Sequence, residues 1–151
     1  MNPYDKDAVQ AVWQRVLGTQ ETEDAWLTEL IAREAASCRA YRALATCAGR
    51  FAPTFFACAR EEQCHAVRLK ALYALLYGKT PRLPEETVDL RRKDFRSALR
   101  ECYAAEQRAA EHYRRTAERQ PEQRELFLRM AEDERRHACR IHCVMTQLLH
   151  G

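Results

Sequence analysis

Apolar residues recur at alternating spacings of three and four along almost the whole sequence. Residues at those separations share one face of a helix, so the pattern predicts helices and no strands. Four long helices are predicted, over residues 22–48, 53–77, 84 or 85 to 119, and 121–149. Helices of this length joined by short connections pack as an antiparallel four-helix bundle.

The predicted inner face of each helix is a continuous apolar seam. In chain order, the four seams comprise Leu27, Leu30, Ile31, Cys38, Tyr41, Ala45 and Ala48; Phe55, Cys58, Leu69, Leu72 and Leu76; Phe95, Leu99, Cys102, Ala109, Tyr113 and Ala117; and Phe127, Met130, Ile141, Val144 and Leu148. Each set keeps to one side of its helix, as expected for residues that face the middle of a bundle.

Helix ends are predicted from residues that favour starting or stopping a helix. Thr22 can cap the first helix and Gly49 can end it, while Pro53 suits the first turn of the second helix and Gly78 its end. A short amphipathic helix is predicted over residues 5–17, within a lead-in of residues 1–21 that braces the bundle. We expect one domain over residues 1–151.

Composition agrees with an all-α protein and excludes several functions. Only 4 glycines and 5 prolines interrupt 151 residues, and the net charge of +3 mixes both signs without a basic stripe, so nucleic-acid binding is not expected. The 7 cysteines include no Cys-x-x-Cys pair, and most are expected to act as small apolar residues. No signal peptide or membrane span is apparent, so we expect a cytoplasmic protein that does not bind membranes.

Six ionisable residues fall in phase with these apolar seams. They are Glu34 in the first helix, Glu62 and His65 in the second, Glu106 in the third, and Glu134 and His137 in the fourth. An isolated buried charge costs on the order of several kcal/mol, so carboxylates in a core need a partner.

The same spacing occurs twice. Glu34 precedes Glu62 by 28 residues and His65 by 31, and Glu106 precedes Glu134 and His137 by the same intervals. A shift of 72 residues therefore superimposes the two halves without a gap, and it also maps Tyr41 onto Tyr113. The chain is predicted to be a duplicated helical hairpin.

Glu and His three residues apart on a helix can bind one metal ion, and their oxygen and nitrogen ligands suit iron and manganese. Four glutamates would balance two divalent ions, which removes the cost of burying them. His65 and His137 are each assigned to one ion, and the bridging pair is either Glu62 with Glu134 or Glu34 with Glu106. Tyr41 and Tyr113 are candidates for hydrogen bonds to the opposite carboxylates.

These residues resemble the rubrerythrin branch of the ferritin-like superfamily over about residues 27–149. The most specific stretches are Glu-Glu-Gln-Cys-His at 61–65, Ala-Glu-Asp-Glu-Arg-Arg-His-Ala at 131–138, and Ala-Ala-Glu at 104–106 with Tyr113. The resemblance implies a ferritin-like antiparallel bundle, a site for two iron ions, a homodimer, and chemistry with peroxide, dioxygen or ferrous ion. Manganese remains an alternative metal.

Two departures from the family pattern bear on function. Rubrerythrins carry a rubredoxin domain with paired Cys-x-x-Cys motifs, which this sequence lacks, so electrons are expected from an external donor. They also carry a further Glu ligand one turn after the Glu of the third helix, where this chain has Ala109. The neighbouring Glu101 and Glu111 are not spaced to replace it.

Three functions follow from this pattern. The first is an oxidoreductase that acts on peroxide or dioxygen, the second is a ferroxidase or iron-binding protein without catalytic turnover, and the third is a metal-free helical scaffold. Among residues outside the cluster, Cys64 is expected to face the neighbouring helix rather than a metal, and Cys139 and Cys143 are a weaker candidate for a soft metal or redox pair. His112, His142 and His150 have no partner at ligand spacing.

Overall fold

Four long helices make up most of the computed structural model, which describes residues 23–84 and 94–151. They are α1 (Ala25–Cys47), α2 (Ala52–Tyr77), α3 (Phe95–Arg119) and α4 (Arg124–His150), and these described ranges contain no strand. The all-α, ferritin-like fold class predicted from the sequence is therefore confirmed. The lead-in helix predicted within residues 1–21 and the predicted cap at Thr22 lie outside the described residues.

The helices pair as two hairpins, α1 with α2 and α3 with α4. A 3-10 turn at Gly49–Phe51 joins the first pair, and a 3-10 turn at Pro121–Gln123 joins the second. Most contacts between helices occur within the hairpins, while α1 meets α3 and α2 meets α4 more sparsely. The two hairpins thus dock along a narrow inner surface, which is where the predicted site lies.

The ends of α2 and α3 are set by local backbone chemistry. α2 stops at Gly78, whose φ of 66° is left-handed and whose N–H bonds to the carbonyl of Ala74 at 2.9 Å. α3 starts later than predicted, at Phe95. Asp94 is extended, with ψ of 156°, and its Oδ1 accepts the N–H of Ser97 at 3.0 Å. This cap corrects the predicted start at residue 84 or 85.

Two apolar clusters occupy the interior, one on each side of the bundle's middle. One is centred on Tyr41, Phe55 and Ile141, and the other on Tyr113 and Phe127 with their neighbours. Nearly all predicted seam residues are buried in these clusters, with Phe95, Cys102 and Leu148 only partly so.

Leu76 is the predicted seam residue that the structure places elsewhere. Its side chain is 43% exposed, so its assignment to the inner face of α2 was wrong. In the last turn of α2 the inner positions belong to Tyr73 and Tyr77, whose ring centroids are 4.9 Å apart. The Nε1–H of Trp26 donates to the hydroxyl of Tyr77 at 3.0 Å, which anchors this end of the hairpin and leaves Leu76 outside.

No helix within residues 23–84 or 94–151 combines the length and apolar character needed to cross a bilayer.

Candidate metal centre

All six predicted ligands lie between the two apolar clusters, on the inner faces of the four helices. They are Glu34 on α1, Glu62 and His65 on α2, Glu106 on α3, and Glu134 and His137 on α4, and each is at most 4% exposed. Helical periodicity explains this arrangement, because each residue keeps the phase of its seam. The structure therefore brings every predicted ligand to one place.

The ligand atoms form two groups of four. One group contains Glu34, Glu62, His65 and Glu134, and the other contains Glu62, Glu106, Glu134 and His137. Within each group the ligand atoms lie within 4.8 Å of one another. Glu62 and Glu134 belong to both groups, so they are the carboxylates placed to contact two ions. The sequence alone could not choose between the two possible bridging pairs.

Both histidines turn the same nitrogen toward the carboxylates. His65 Nδ1 lies 3.3 Å from Glu34 Oε2 and 3.2 Å from Glu134 Oε1. His137 Nδ1 lies 3.1 Å from Glu62 Oε1 and 3.3 Å from Glu134 Oε2. Nδ1 is therefore the atom that each ring offers to a metal ion.

The other nitrogen of each ring meets a carboxylate at the rim of the cluster. His137 Nε2 lies 2.6 Å from Glu61 Oε2, and His65 Nε2 lies 2.9 Å from Asp133 Oδ2. These contacts join α2 to α4 and fix the rotation of both rings. The 72-residue repeat makes Glu61 and Asp133 equivalent, which suggested a polar rim from the sequence but not their contacts with the two histidines.

Arginines in turn hold these two rim carboxylates. Arg140 Nη1 donates to Glu61 Oε1 at 3.2 Å and also approaches the thiol of Cys58 at 3.7 Å. Arg136 forms an ion pair with Asp133 one turn earlier on α4. Each histidine is thus the inner member of a chain that runs from an arginine through a carboxylate to the cluster.

Tyr41 and Tyr113 each donate a hydrogen bond across the bundle to a carboxylate of the other hairpin. The Tyr41 hydroxyl on α1 donates to Glu106 on α3, and the Tyr113 hydroxyl on α3 donates to Glu34 on α1. Burial, followed by the nearby carboxylate, holds the pKa of each phenol above its ordinary value. Both tyrosines therefore stay protonated and act as hydrogen-bond donors. They orient Glu34 and Glu106, each of which belongs to one of the two ligand groups.

Proton sharing explains how the metal-free cluster tolerates burial. Burial is the main cause that raises the pKa of Glu34 to about 8 and that of Glu106 to about 11. Burial opposes the ionisation of Glu62 and Glu134 as well. Close contacts nevertheless lower both pKa values. Glu34 and the two histidines hold the pKa of Glu62 below its ordinary range, and the histidines foremost hold that of Glu134 at about 2.

The histidines carry the balancing charge. Burial alone would lower the pKa of His137, but contacts with Glu134 and Glu62 raise it to about 12, and His65 is raised for the same reason. The metal-free cluster at neutral pH is therefore two carboxylates with two imidazolium rings, beside two protonated glutamates. The net charge of this cluster is zero. It stays zero when two divalent ions replace the four protons on the two glutamates and the two imidazolium rings.

A further observation supports the fit of these residues to a pair of metal ions. Glu62 Oε2 and both oxygens of Glu134 are buried and make no hydrogen bond within the described part of the chain. They lie 3.2–3.5 Å from histidine Nδ1 atoms, but without hydrogen-bond geometry. Unpartnered buried carboxylate oxygens are costly, and a metal ion would satisfy them.

The cysteines take no part in either ligand group. Cys38 and Cys58 are buried and Cys102 is partly buried, but Cys47, Cys64, Cys139 and Cys143 are exposed. Four of the seven cysteines are therefore exposed, and Cys64 is one of them although it was expected to face the neighbouring helix. Among residues 23–84 and 94–151, both groups that could hold a metal ion consist of Glu and His alone.

Fold and site together define a class: a four-helix bundle with two histidines and four glutamates arranged around two metal positions. The Rubrerythrin family model matches residues 26–145, which is most of the sequence. The chain belongs to the rubrerythrin family, a family of di-iron carboxylate proteins. Searches of curated proteins and of solved structures found no match. Ala109, at the position of the family's further Glu ligand, is buried one turn after Glu106.

Proposed function

We propose that this protein is a di-iron oxidoreductase that reduces peroxide or dioxygen with electrons from an external donor. The observation that carries the proposal is the double ligand group in which Glu62 and Glu134 are shared. Bound iron would supply the redox chemistry. The family match supports iron, and the Glu and His ligands also suit manganese.

The surrounding residues serve the site by holding and orienting it. Glu61 and Asp133 fix the two imidazoles, and Tyr41 and Tyr113 fix Glu106 and Glu34. The apolar clusters on both sides exclude water from the carboxylates. A site with so little freedom keeps its ligands in place while electrons and protons are exchanged.

A second candidate is a ferroxidase or iron-binding protein without catalytic turnover. Ala109 favours it, because the chain lacks the additional carboxylate of rubrerythrins and its two ligand groups are equivalent under the repeat. The two candidates differ in stoichiometry. A ferroxidase oxidises only the ferrous ion that it binds, whereas an oxidoreductase continues to consume peroxide or dioxygen while a reductant is supplied.

The first experiment measures metal by elemental mass spectrometry in protein purified from cells and after ferrous addition. Two irons per chain, followed by continued peroxide consumption with an artificial reductant, would support the oxidoreductase. Two irons with a single round of oxidation would support the second candidate. No uptake of ferrous or manganous ion would refute both and leave a metal-free scaffold.

A ligand variant and a matched control make this test specific. Glu62→Ala removes a carboxylate shared by both groups, and we expect it to abolish loading. Glu132→Ala removes a carboxylate from α4 that is 60% exposed and pairs only with Arg135 among the described contacts, and it should load normally. The homodimer and the external electron donor stay predictions, to be checked by light scattering and by donor-dependent assays.

A further inference from the structure

A groove between α1 and α3 leads from the surface to one side of the cluster. Its volume is about 550 Å³, and Tyr41 and Glu106 are among the residues that line it. Small side chains keep it open, namely Ala36, Ser37, Ala40, Ala104 and Ala105. The groove therefore reaches a ligand of the second metal position and the tyrosine that orients that ligand.

The repeat relates this groove to a surface above Tyr113 and Glu34, and there the two halves differ. Arg33 lies over the Tyr113 ring, with its Cζ 5.0 Å from the ring centroid, and its Nη1 is 2.6 Å from His112 Nδ1. The pKa of His112 is lowered by burial and by Arg33, so the neutral ring accepts this hydrogen bond. Arg33 thus covers the Tyr113 ring, and His112 holds Arg33 in that position.

The corresponding positions in the other half carry only methyl groups. A shift of 72 residues maps Arg33 onto Ala105, and it maps Ala40 onto His112. Ala40 and Ala105 both line the groove. The Tyr41 side therefore carries two small side chains where the Tyr113 side carries Arg33 and His112.

We propose that this groove is the access route for the substrate, and that it admits a small uncharged molecule with an O–O bond rather than a metal cation. The inference rests on the proposed function. It adds the side of the cluster from which the substrate arrives and the charge of the molecule that the groove admits. The substrate would then approach the site from the Glu106 side, although the ligands of the site are duplicated.

The charges along the groove support this selection. Three arginines, Arg33, Arg100 and Arg108, line it against two glutamates, Glu101 and Glu106. Arg33 also has two buried nitrogens, Nε and Nη2, without a hydrogen-bond partner in the described ranges. A cation entering here would be repelled by three guanidinium groups, whereas peroxide or dioxygen would not.

Cys102 offers a probe of the groove that does not depend on activity. Its partly buried thiol lines the groove one turn before Glu106. In the purified full chain, neutral, anionic and cationic methanethiosulfonates of similar size would be compared, with labelling followed at each cysteine by peptide mass mapping. Exposed Cys47 serves as the reference for the intrinsic reactivity of each reagent.

We expect the cationic reagent to label Cys102 at least about tenfold more slowly than the neutral one, relative to Cys47. The double variant Arg100→Glu with Arg108→Glu should remove that difference. Equal rates for cationic and neutral reagents in the unmodified chain would overturn the charge selection.

The route itself is tested by transplanting the covering pair. Ala40→His with Ala105→Arg, at two exposed positions, should slow neutral labelling of Cys102 at least about tenfold, because reaction then waits for side chains to move. Oxidation of the iron-loaded protein by peroxide and by dioxygen should slow by a similar factor, with metal content unchanged. The matched control introduces the same two side chains at exposed positions of α2 that do not line the groove, Ala71→His with Ala74→Arg, and it should slow neither reaction.

The outcomes separate this inference from the proposed function. If the chain binds no metal, the proposed function fails, and with it the role of the groove as a substrate route, whatever the labelling shows. If it binds iron and reacts with peroxide or dioxygen, but the transplanted pair leaves both oxidation rates unchanged, the access route is wrong and the proposed function stands.

Discussion

The Nε2 atom of His137 lies 2.6 Å from Oε2 of Glu61, on the side of the ring that faces away from the cluster. His65 and Asp133 repeat this relationship at 2.9 Å in the other half. A carboxylate that accepts the outer N–H of an imidazole fixes its tautomer and increases the basicity of the inner nitrogen. Glu61 and Asp133, which contact neither metal position, therefore favour metal binding by both histidines.

Removing a rim carboxylate should weaken metal binding without removing a ligand. For Glu61→Ala and Asp133→Ala we expect affinity to fall by roughly 10- to 100-fold, because the imidazole loses its fixed orientation. Competition with a chelator of known affinity measures the change. Glu125→Ala is a suitable control, since Glu125 is 81% exposed and pairs with Arg129 away from the cluster. Unchanged affinity in both rim variants would refute the positioning role.

Shared and unshared carboxylates should differ in how many ions their loss removes. Glu134→Gln keeps the size of the side chain but removes a ligand common to both groups, so we expect both ions to be lost. Glu34→Gln alters a ligand of one group only, and we expect about one ion to remain. Elemental analysis of the two variants decides the matter, and equal metal content would contradict the assignment of Glu62 and Glu134 as the shared pair.

Metal uptake should release protons and strengthen as pH rises. Glu34, with a pKa of about 8, Glu106, with about 11, and both histidines carry protons at neutral pH in the metal-free chain. Metal ions bind the deprotonated forms, so protons compete with them at every pH below these values. Loading both positions should release one proton from each of the four groups. Titration calorimetry in buffers of different ionisation enthalpy counts them, and a pH-independent affinity would contradict this protonation pattern.

The apolar cluster around Phe127 should contribute strongly to stability. Its ring is fully buried, stacked 6.0 Å from Tyr113 and edge-on 6.0 Å from Trp26. Phe127→Ala should cost about 3–5 kcal/mol of unfolding free energy, because it removes buried area and leaves a cavity. Leu76→Ala, on the exposed side of α2, should cost within about 0.5 kcal/mol. Urea denaturation of the metal-free chain compares them, and similar losses would argue against this division of inner and outer faces.

The end of α2 should depend on glycine. A Cβ at Gly78 would meet no atom within 4 Å, so only its left-handed backbone, with φ of 66°, resists a side chain. Gly78→Ala should therefore destabilise the protein by about 1–2 kcal/mol. Gly78→Asn should cost less, since asparagine tolerates this conformation. Equal stability of the alanine variant and the unmodified chain in chemical denaturation would exclude a strained end.

Helical periodicity made the ligand set predictable from sequence. Glu34 and Glu62 follow the phase of their apolar seams, and the 72-residue repeat supplied an independent check at Glu106 and Glu134. The start of α3 was missed because no glycine or proline marks it, although Asp94 is a residue type that favours capping a helix and its side chain accepts the N–H of Ser97.

Features that depend on how two helices face each other could not be read from one sequence. Glu61 and His137 meet because α2 and α4 approach closely at that level, which no spacing along the chain encodes. Leu76 is apolar like its neighbours, but the tyrosines of the last turn of α2 take the inner positions. The groove at Ala40 and Ala105 could not be predicted from the sequence either, because alanine is common in any helix. These two positions are informative only in comparison with Arg33 and His112, their equivalents under the repeat.

Each metal position draws ligands from both hairpins, and this has a consequence for how the protein folds. The first hairpin can form its own apolar contacts as it leaves the ribosome, but Glu34, Glu62 and His65 then face water without Glu134. Neither position is complete until the second hairpin docks, so high-affinity metal uptake marks the last step of assembly. Metal bound at these positions would therefore add to the strength of that docking, beside the apolar clusters that the two hairpins share.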